Sequence, residues 1–326
     1  MSLFLGVDGG GTKTDFLLIE DTGRVLARHR EGCAYYLEIG LDALRALLDR
    51  GIERTLAAAR ASPDAVRFAF FGLPAYGEDS RLQATLDAAP GTGISATRYR
   101  CGNDVICGWA GALGGADGIH LVAGTGSIGY GEYRGRSARA GGWGELFSDE
   151  GSAYWVVREG LQAFARMSDG RLARGPLYAL IRQHFALGED LDLCGAIYGT
   201  GQPDRSRIAQ LAPLIAKAVE QGDAQARRIF DAAVGELAAI VGAIRSRIDA
   251  PAQARIPVSY SGGMFRFETL IRDALGERLV REVPAYDFRA PSLPPDAGAA
   301  IYAAKLAGEP LAGGAVERLR RDCAAS

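Results

Sequence analysis

The spacing of apolar residues changes period several times along this chain of 326 residues. Leu3–Val7 is a short apolar run. Asp15–Glu20 and Arg24–His29 flank the turn signal Asp21-Thr22-Gly23, so the opening reads as a β-meander. Leu41–Ala59 repeats leucines at helical spacing, at 41, 44, 47 and 48. Val66–Leu73 reads as a buried strand ending at Pro74, and Ser80–Ala88 as a helix. Residues 105–113 read as a short apolar helix stopped by Gly114-Gly115. Ile119–Ala123 opens a second strand set, continued by the alternating stretch Ser127–Tyr133. Helices are predicted over 150–167, 173–186, 205–220 and 223–248. Ile256–Ser261 reads as a strand, Phe265–Leu275 as a helix, Leu279–Val283 as a last strand and Asp296–Ala307 as a small-residue helix. A strand, a glycine turn and another strand occur in both halves, a weak internal duplication. The mixture predicts an α/β protein with mixed sheets.

The length exceeds what one hydrophobic core usually serves, so two domains are expected. No low-complexity linker separates the halves, which predicts two packed domains with a cleft between them. Hydrophobic content of 48% and charged content of 23% are ordinary for a globular protein. A formal charge of −2 offers no basic footprint for nucleic acid and no field to recruit a membrane. No run reaches the roughly 18 apolar residues of a membrane span, and no secretory leader pattern opens the sequence. The five cysteines (33, 101, 107, 194, 323) are odd in number and form no C-x-x-C pair. That argues against a disulfide framework or a zinc site and points to a reducing, cytoplasmic setting. His29, His120 and His184 show no metal-ligand spacing.

Two glycine-rich loops carry the first chemical signal. They are Asp8-Gly9-Gly10-Gly11-Thr12-Lys13-Thr14 and Gly124-Thr125-Gly126-Ser127, each between strand-like runs. A turn stripped of side chains exposes backbone N–H groups, which cradle phosphate oxygens, and neighbouring hydroxyls or a lysine add donors and charge. Two such loops suggest a clamp on one polyphosphate. Gly6–Gly11 has Walker spacing, but Thr12 stands where that motif needs lysine. Gly124, Gly126 and Gly129 match the dinucleotide fingerprint, yet a strand-like stretch follows where the fingerprint needs a helix. The second loop therefore reads as a hairpin turn.

Carboxylates supply the rest. Asp104 stands at the start of the predicted helix 105–113, as an N-cap or as a base that deprotonates an acceptor hydroxyl in line with a γ-phosphate. Asp8, just ahead of a phosphate turn, suits Mg²⁺ through water or an Asx-turn. Gly141-Gly142-Trp143-Gly144-Glu145 and Ser148-Asp149-Glu150-Gly151-Ser152 suit a sugar. Carboxylates accept from vicinal hydroxyls and an aromatic face covers a ring, although these residues could also cap and charge the next helix. Asp149 is the candidate ligand contact there. Ser261-Gly262-Gly263-Met264 is a third glycine turn, either a close-packed connection or the seat of an adenine or ribose.

Together these residues resemble the N-acetylglucosamine kinase and glucosamine kinase group (BadF/BadG/BcrA/BcrD-type ATPases) of the actin, heat-shock chaperone and hexokinase superfamily. The resemblance is carried by Asp8–Thr14, Gly102-Asn103-Asp104, Ala123–Ser127, Gly141–Gly144, Asp149–Trp155, Ser261–Gly263 and Asp296–Ala300. It implies two ribonuclease-H-like lobes with mixed five-stranded sheets and an interdomain cleft, the actin-like ATPase fold. The lobes are expected at 1–117 and 118–290, with a helical segment 291–326 packing back on the first. It implies that ATP phosphates are held by Asp8, Gly10, Gly11, Thr12, Lys13, Gly124, Thr125, Gly126 and Ser127. Gly262, Gly263 and Gly298 are expected in the nucleotide pocket, and Mg²⁺ near Asp8. It implies that Asp104 is the general base on a sugar 6-hydroxyl and that Thr125, Gly142, Trp143, Asp149 and Tyr35 line the acceptor. A homodimer that takes ATP and a sugar, and neither nucleic acid nor membrane, is the expected assembly. The pattern departs at the acceptor: Tyr35 or Tyr36 stands where relatives that bind N-acetylglucosamine have asparagine. Pro74-Ala75-Tyr76 and Ala140 also differ from it.

Two alternatives share the fold. Activators of 2-hydroxyacyl-CoA dehydratases couple ATP hydrolysis to electron transfer through a shared iron–sulfur cluster, but Cys101 and Cys107 are not paired for one. Regulators of this fold carry a DNA-binding helix-turn-helix ahead of the first strand, and this chain opens on that strand.

Overall fold

A computed structural model describes residues 1–91, 93–199, 204–283 and 286–324. The chain divides into two compact units, Met1–His120 with Ala290–Ser326, and Leu121–Arg289. Each is built on a five-stranded sheet.

The first sheet comprises β1 (Leu3–Gly9), β2 (Thr14–Glu20), β3 (Val25–Glu31), β4 (Val66–Leu73) and β5 (Tyr99–Asn103), in the order β3-β2-β1-β4-β5. The β1–β2 and β2–β3 pairs are antiparallel, while β4 and β5 continue parallel to β1. Both faces are covered, so β1 and β2 read as nearly continuous apolar runs. On one face Phe16, Leu18 and Phe71 pack with Leu44, Leu48 and Ile52 of the helix Leu41–Ala59. On the other, Phe4, Leu17, Ile19 and Phe70 meet Cys107 and the alanine-rich helix Pro295–Leu306. The carboxyl-terminal helices thus belong to the first unit although they follow the second in sequence.

The second sheet comprises β6 (Gly118–Ala123), β7 (Ser127–Tyr133), β8 (Arg136–Gly141), β9 (Ile256–Ser261) and β10 (Tyr286–Arg289), in the order β10-β9-β6-β7-β8. Read from the other edge this is the strand order of the first sheet, which gives the internal duplication a topological form. The helix Ala224–Arg247 fills the core of this unit with Phe230, Leu237, Val241 and Ile244.

Two expectations require correction. Leu279–Val283 is not a strand; it continues the helix Asp273–Glu282, because Ile271, Leu275 and Leu279 bury one stripe at four-residue spacing. The last strand is Tyr286–Arg289, parallel to β9. The predicted helix 205–220 is two helices, Arg205–Ala209 and Ala212–Glu220; Pro213 is tolerated because it lies in the first turn of the second. The polar strand β8 and the helices Asp192–Tyr198 and Gly313–Ala324 were not signalled by any apolar period. Among the described residues no helix is long and apolar enough to cross a membrane.

Candidate active site

In the first unit the site lies at the carboxyl ends of the parallel strands, where open α/β sheets place their ligands. Asp8, Gly72 and Gly102 stand side by side across β1, β4 and β5. The row continues through Asp15 on β2 to Arg30 on β3. Neighbours across a sheet project to the same face. Burial, then the carboxylates of Asp104, Asp296 and Asp15, pushes the Asp8 carboxyl well above the ordinary carboxylate range. A cation relieves such a crowd of like charges, so Asp8 fits Mg²⁺ chemistry. Among the described residues no three His, Cys, Asp or Glu side chains are arranged to hold a metal ion. An ion here would draw most of its oxygens from phosphate and water, as Mg²⁺ commonly does.

Asp104 follows β5 directly, and its N–H donates to Leu73 O at 3.3 Å. It occupies the N-cap position of the helix Val105–Leu113, yet its side chain makes no capping hydrogen bond. Asn103 performs that task, with Oδ1 accepting from Val105 N–H at 3.1 Å. The side-chain cap of this helix therefore belongs to the preceding residue.

The first glycine turn joins β1 to β2. Gly11, Thr12 and Lys13 are exposed, and nothing approaches within 4 Å of a Cβ built on Gly11. Lys13 Nζ reaches Asp15 at 2.7 Å, and Arg30 pairs with the same carboxylate. Together they hold the Asp15 carboxyl below its ordinary range against its own burial. Gly10 O accepts from Ala34 N–H at 2.9 Å, tying this turn to the loop that carries Tyr35. Tyr35 N–H in turn meets Cys33 Sγ at 3.3 Å.

In the second unit Gly124–Ser127 is the turn between adjacent strands β6 and β7. Four hydrogen bonds stitch it to the segment that follows β8. Ser127 N–H donates to Asp149 Oδ1 at 3.3 Å and Ser127 Oγ–H to Glu150 O at 2.7 Å. Ala153 N–H reaches Gly124 O at 2.9 Å and Tyr154 N–H reaches Thr125 O at 3.4 Å. Asp149 is buried and takes a left-handed backbone at φ 60°. Gly262, at φ 103°, sits against the same turn: a Cβ there would lie 2.3 Å from Ala123 O. The second and third glycine turns are therefore neighbours, with Gly124 and Gly263 beside one another.

The remaining candidates fall into two groups. Gly142 packs on Ile128, and Trp143 beside it is exposed, so its ring faces are accessible. Gly298 lies at a helix crossing, where a Cβ would stand 2.1 Å from Cys107 O and 2.2 Å from Gly111 N. Its surroundings are those of a packing position.

One functional candidate, Arg205, lacked a sequence signal, and a second, Asp296, was marked only by the family resemblance. Arg205 pairs with Asp149 and lies over Gly126, but is separated from both by more than fifty residues. Asp296, buried at the start of the helix Pro295–Leu306, is paired with Arg28 at 2.9 Å and faces Asp8 electrostatically.

Duplicated five-stranded sheets with glycine turns leaving their strand ends define the actin-like ATPase fold class. Residues 5–303 match the BadF/BadG/BcrA/BcrD ATPase family, and the chain belongs to it. An N-acetyl-D-glucosamine kinase of Dictyostelium discoideum is 26% identical over 92% of this chain and 97% of its own. An N-acetylmuramic acid/N-acetylglucosamine kinase of Clostridium acetobutylicum is 36% identical over 44% of this chain and 46% of its own. The crystal structure of a candidate N-acetylglucosamine kinase from Chromobacterium violaceum superposes with a TM-score of 0.71. It is 27% identical and covers 93% of this chain and 99% of that one.

Proposed function

We propose that this protein is an ATP-dependent sugar kinase that phosphorylates the 6-hydroxyl of an amino sugar, N-acetylglucosamine or glucosamine. One observation carries the reading. Asp104 lies at the carboxyl end of β5, in electrostatic range of Asp8, and its side chain is relieved of capping by Asn103. The length over which the Dictyostelium kinase matches supports the same substrate class.

In this reading Asp104 accepts the proton of the acceptor hydroxyl as the oxygen attacks the γ-phosphorus, and ADP leaves. Gly10–Lys13 and the second glycine turn, through the amides of Thr125 and Gly126, supply backbone donors to the phosphates, and Lys13 adds charge; the Gly124 and Ser127 amides are engaged within the unit. Mg²⁺, when bound near Asp8, neutralises phosphate charge. Asp149 and Trp143 receive the sugar, the first by hydrogen bonds from hydroxyls and the second by covering a ring face. Tyr35 sits where an amide-reading asparagine would define the acetamido pocket, so acceptor choice between the two amino sugars turns on it. A cytoplasmic homodimer completes the proposal.

The coupling-ATPase reading is disfavoured by the thiols of Cys101 and Cys107, which are both buried, with burial raising both pKa values. The deciding experiment is ADP release from Mg-ATP with N-acetylglucosamine, glucosamine, glucose, N-acetylmannosamine or no sugar, with Asp104→Asn in parallel. Turnover that requires an amino sugar and vanishes in the variant is the expected result. ADP release that ignores every sugar, or survives the substitution, sinks the reading.

A further inference from the structure

We infer that Arg205 is the positioning residue of the acceptor site: it holds Asp149 in place over the second glycine turn and keeps that carboxylate available to sugar hydroxyls. This rests on the sugar-kinase reading for the role of Asp149, and on geometry within the second unit for the role of Arg205.

Asp149 is held from two sides. Oδ1 accepts from Ser127 N–H, and Oδ2 is paired with the Arg205 guanidinium. The guanidinium also lies so close over Gly126 that a Cβ there would stand 2.1 Å from its terminal nitrogen. Its Nε is buried without a hydrogen-bond partner, 3.6 Å from the Glu145 carboxylate. Arg205 thus touches all three parts of the acceptor region: the phosphate turn, the loop that carries Trp143 and Glu145, and Asp149 itself. A carboxylate offers about four lone-pair directions, so Ser127 and Arg205 occupy two and leave two for hydroxyl donors. With Ser127 N–H on Oδ1 and a charge-assisted bond from one Arg205 nitrogen on Oδ2, both carboxylate oxygens are held, which fixes the direction of the remaining pairs.

Charge leads to the same assignment. Asp149 is buried, and the groups that face it are Arg205, Glu145, Glu150 and the Ser127 amide. Burial and the two glutamates favour its protonated form, while Arg205 is the cation opposing them. A protonated Asp149 would itself be a donor and would lose acceptor capacity toward sugar hydroxyls. The left-handed backbone at Asp149 fixes where the side chain starts, and the ion pair fixes where it ends.

The test compares wild type with Arg205→Ala, Arg205→Gln and Arg205→Lys in two measurements. Steady-state kinetics against acceptor from pH 5 to 8 should show KM for the sugar raised about tenfold in the Ala and Gln variants, with kcat changed less. The acid limb of kcat/KM should move up by about one pH unit or more in both, and Lys should restore the limb and part of the KM. Unchanged KM and limb, or a Lys variant no better than Ala, overturns the assignment. The second measurement is a ¹³C carboxyl NMR titration of the sugar-free protein, with the Asp149 signal assigned through Asp149→Asn. Its midpoint should rise when Arg205 is neutralised, and an unmoved midpoint overturns the inference. If wild type phosphorylates no sugar, the kinase reading fails by itself, and the NMR titration still decides whether Arg205 controls Asp149. If the Ala variant does not fold, Gln carries both measurements.

Discussion

A β-carbon on Gly72 would stand 2.2 Å from Sγ of Cys107 and 3.2 Å from Cα of Asp104. The missing side chain on β4 is what lets the helix Val105–Leu113 begin against the strand ends. Position 72 therefore sets where Asp104 sits relative to Asp8, its neighbour across the β1–β4 ladder.

Gly72→Ala should destabilise the protein by about 1–3 kcal/mol through overpacking and lower activity by displacing Asp104. Cys107→Ala in the same chain removes the clashing sulfur. Urea unfolding should show the double variant more stable than the sum of the single losses by about 1 kcal/mol or more. Strict additivity would mean that the contact does not set the spacing.

Asn103 and Asp104 should separate stability from catalysis. Asp104→Asn is expected to lower kcat about 10²–10⁴-fold with an unchanged melting temperature. Asn103→Ala removes the bond to Val105 N–H and should cost about 1 kcal/mol. Thermal melts beside kinetics check both. A large loss of stability in Asp104→Asn would return the residue to a structural role.

Gly298 is buried against backbone atoms that have no rotamer to change. Gly298→Ala should therefore cost about 3 kcal/mol, measured by chemical denaturation, with KM for ATP nearly unchanged in the folded protein. A raised KM at full stability would instead make Gly298 a direct nucleotide contact.

His120 gives an acid dependence that does not involve the active site. Burial pushes its pKa down to about 3. The unfolded chain binds the proton below about pH 6.5 while the folded chain does not. Stability contributed by neutral His120 is thus present above that pH and is lost as pH falls toward 3. Between pH 7.5 and 5 the loss should be about 2 kcal/mol. Urea unfolding at both pH values should show that increment in wild type and not in His120→Gln.

Local pattern was enough for much of this molecule. Period-two and apolar runs located β1, β2, β6, β7 and β9, leucines at helical spacing located the helix Leu41–Ala59, and stripped turns marked the three glycine loops. Those signals are short-range, because strand pleat, helix pitch and turn geometry act within a few residues. The late strand was misplaced for the converse reason. Leu279-Val280-Arg281-Glu282-Val283 has no decisive local period, and only burial of Ile271, Leu275 and Leu279 against the core selected the helix. Local residues also did not show that the cap of the helix Val105–Leu113 is made by Asn103 rather than by Asp104.

By itself the sequence determined the α/β class, the repeated strand–turn–strand plan and the positions of the glycine turns, since each is written in neighbouring residues. Tertiary structure decided which distant groups share a site. It set Asp8 beside Gly72, Gly262 against Gly124, and Arg205 on Asp149, pairs separated by more than fifty residues. Such contacts are made by ladder register, backbone approach and charge pairing in the folded chain, and no spacing along the sequence encodes them.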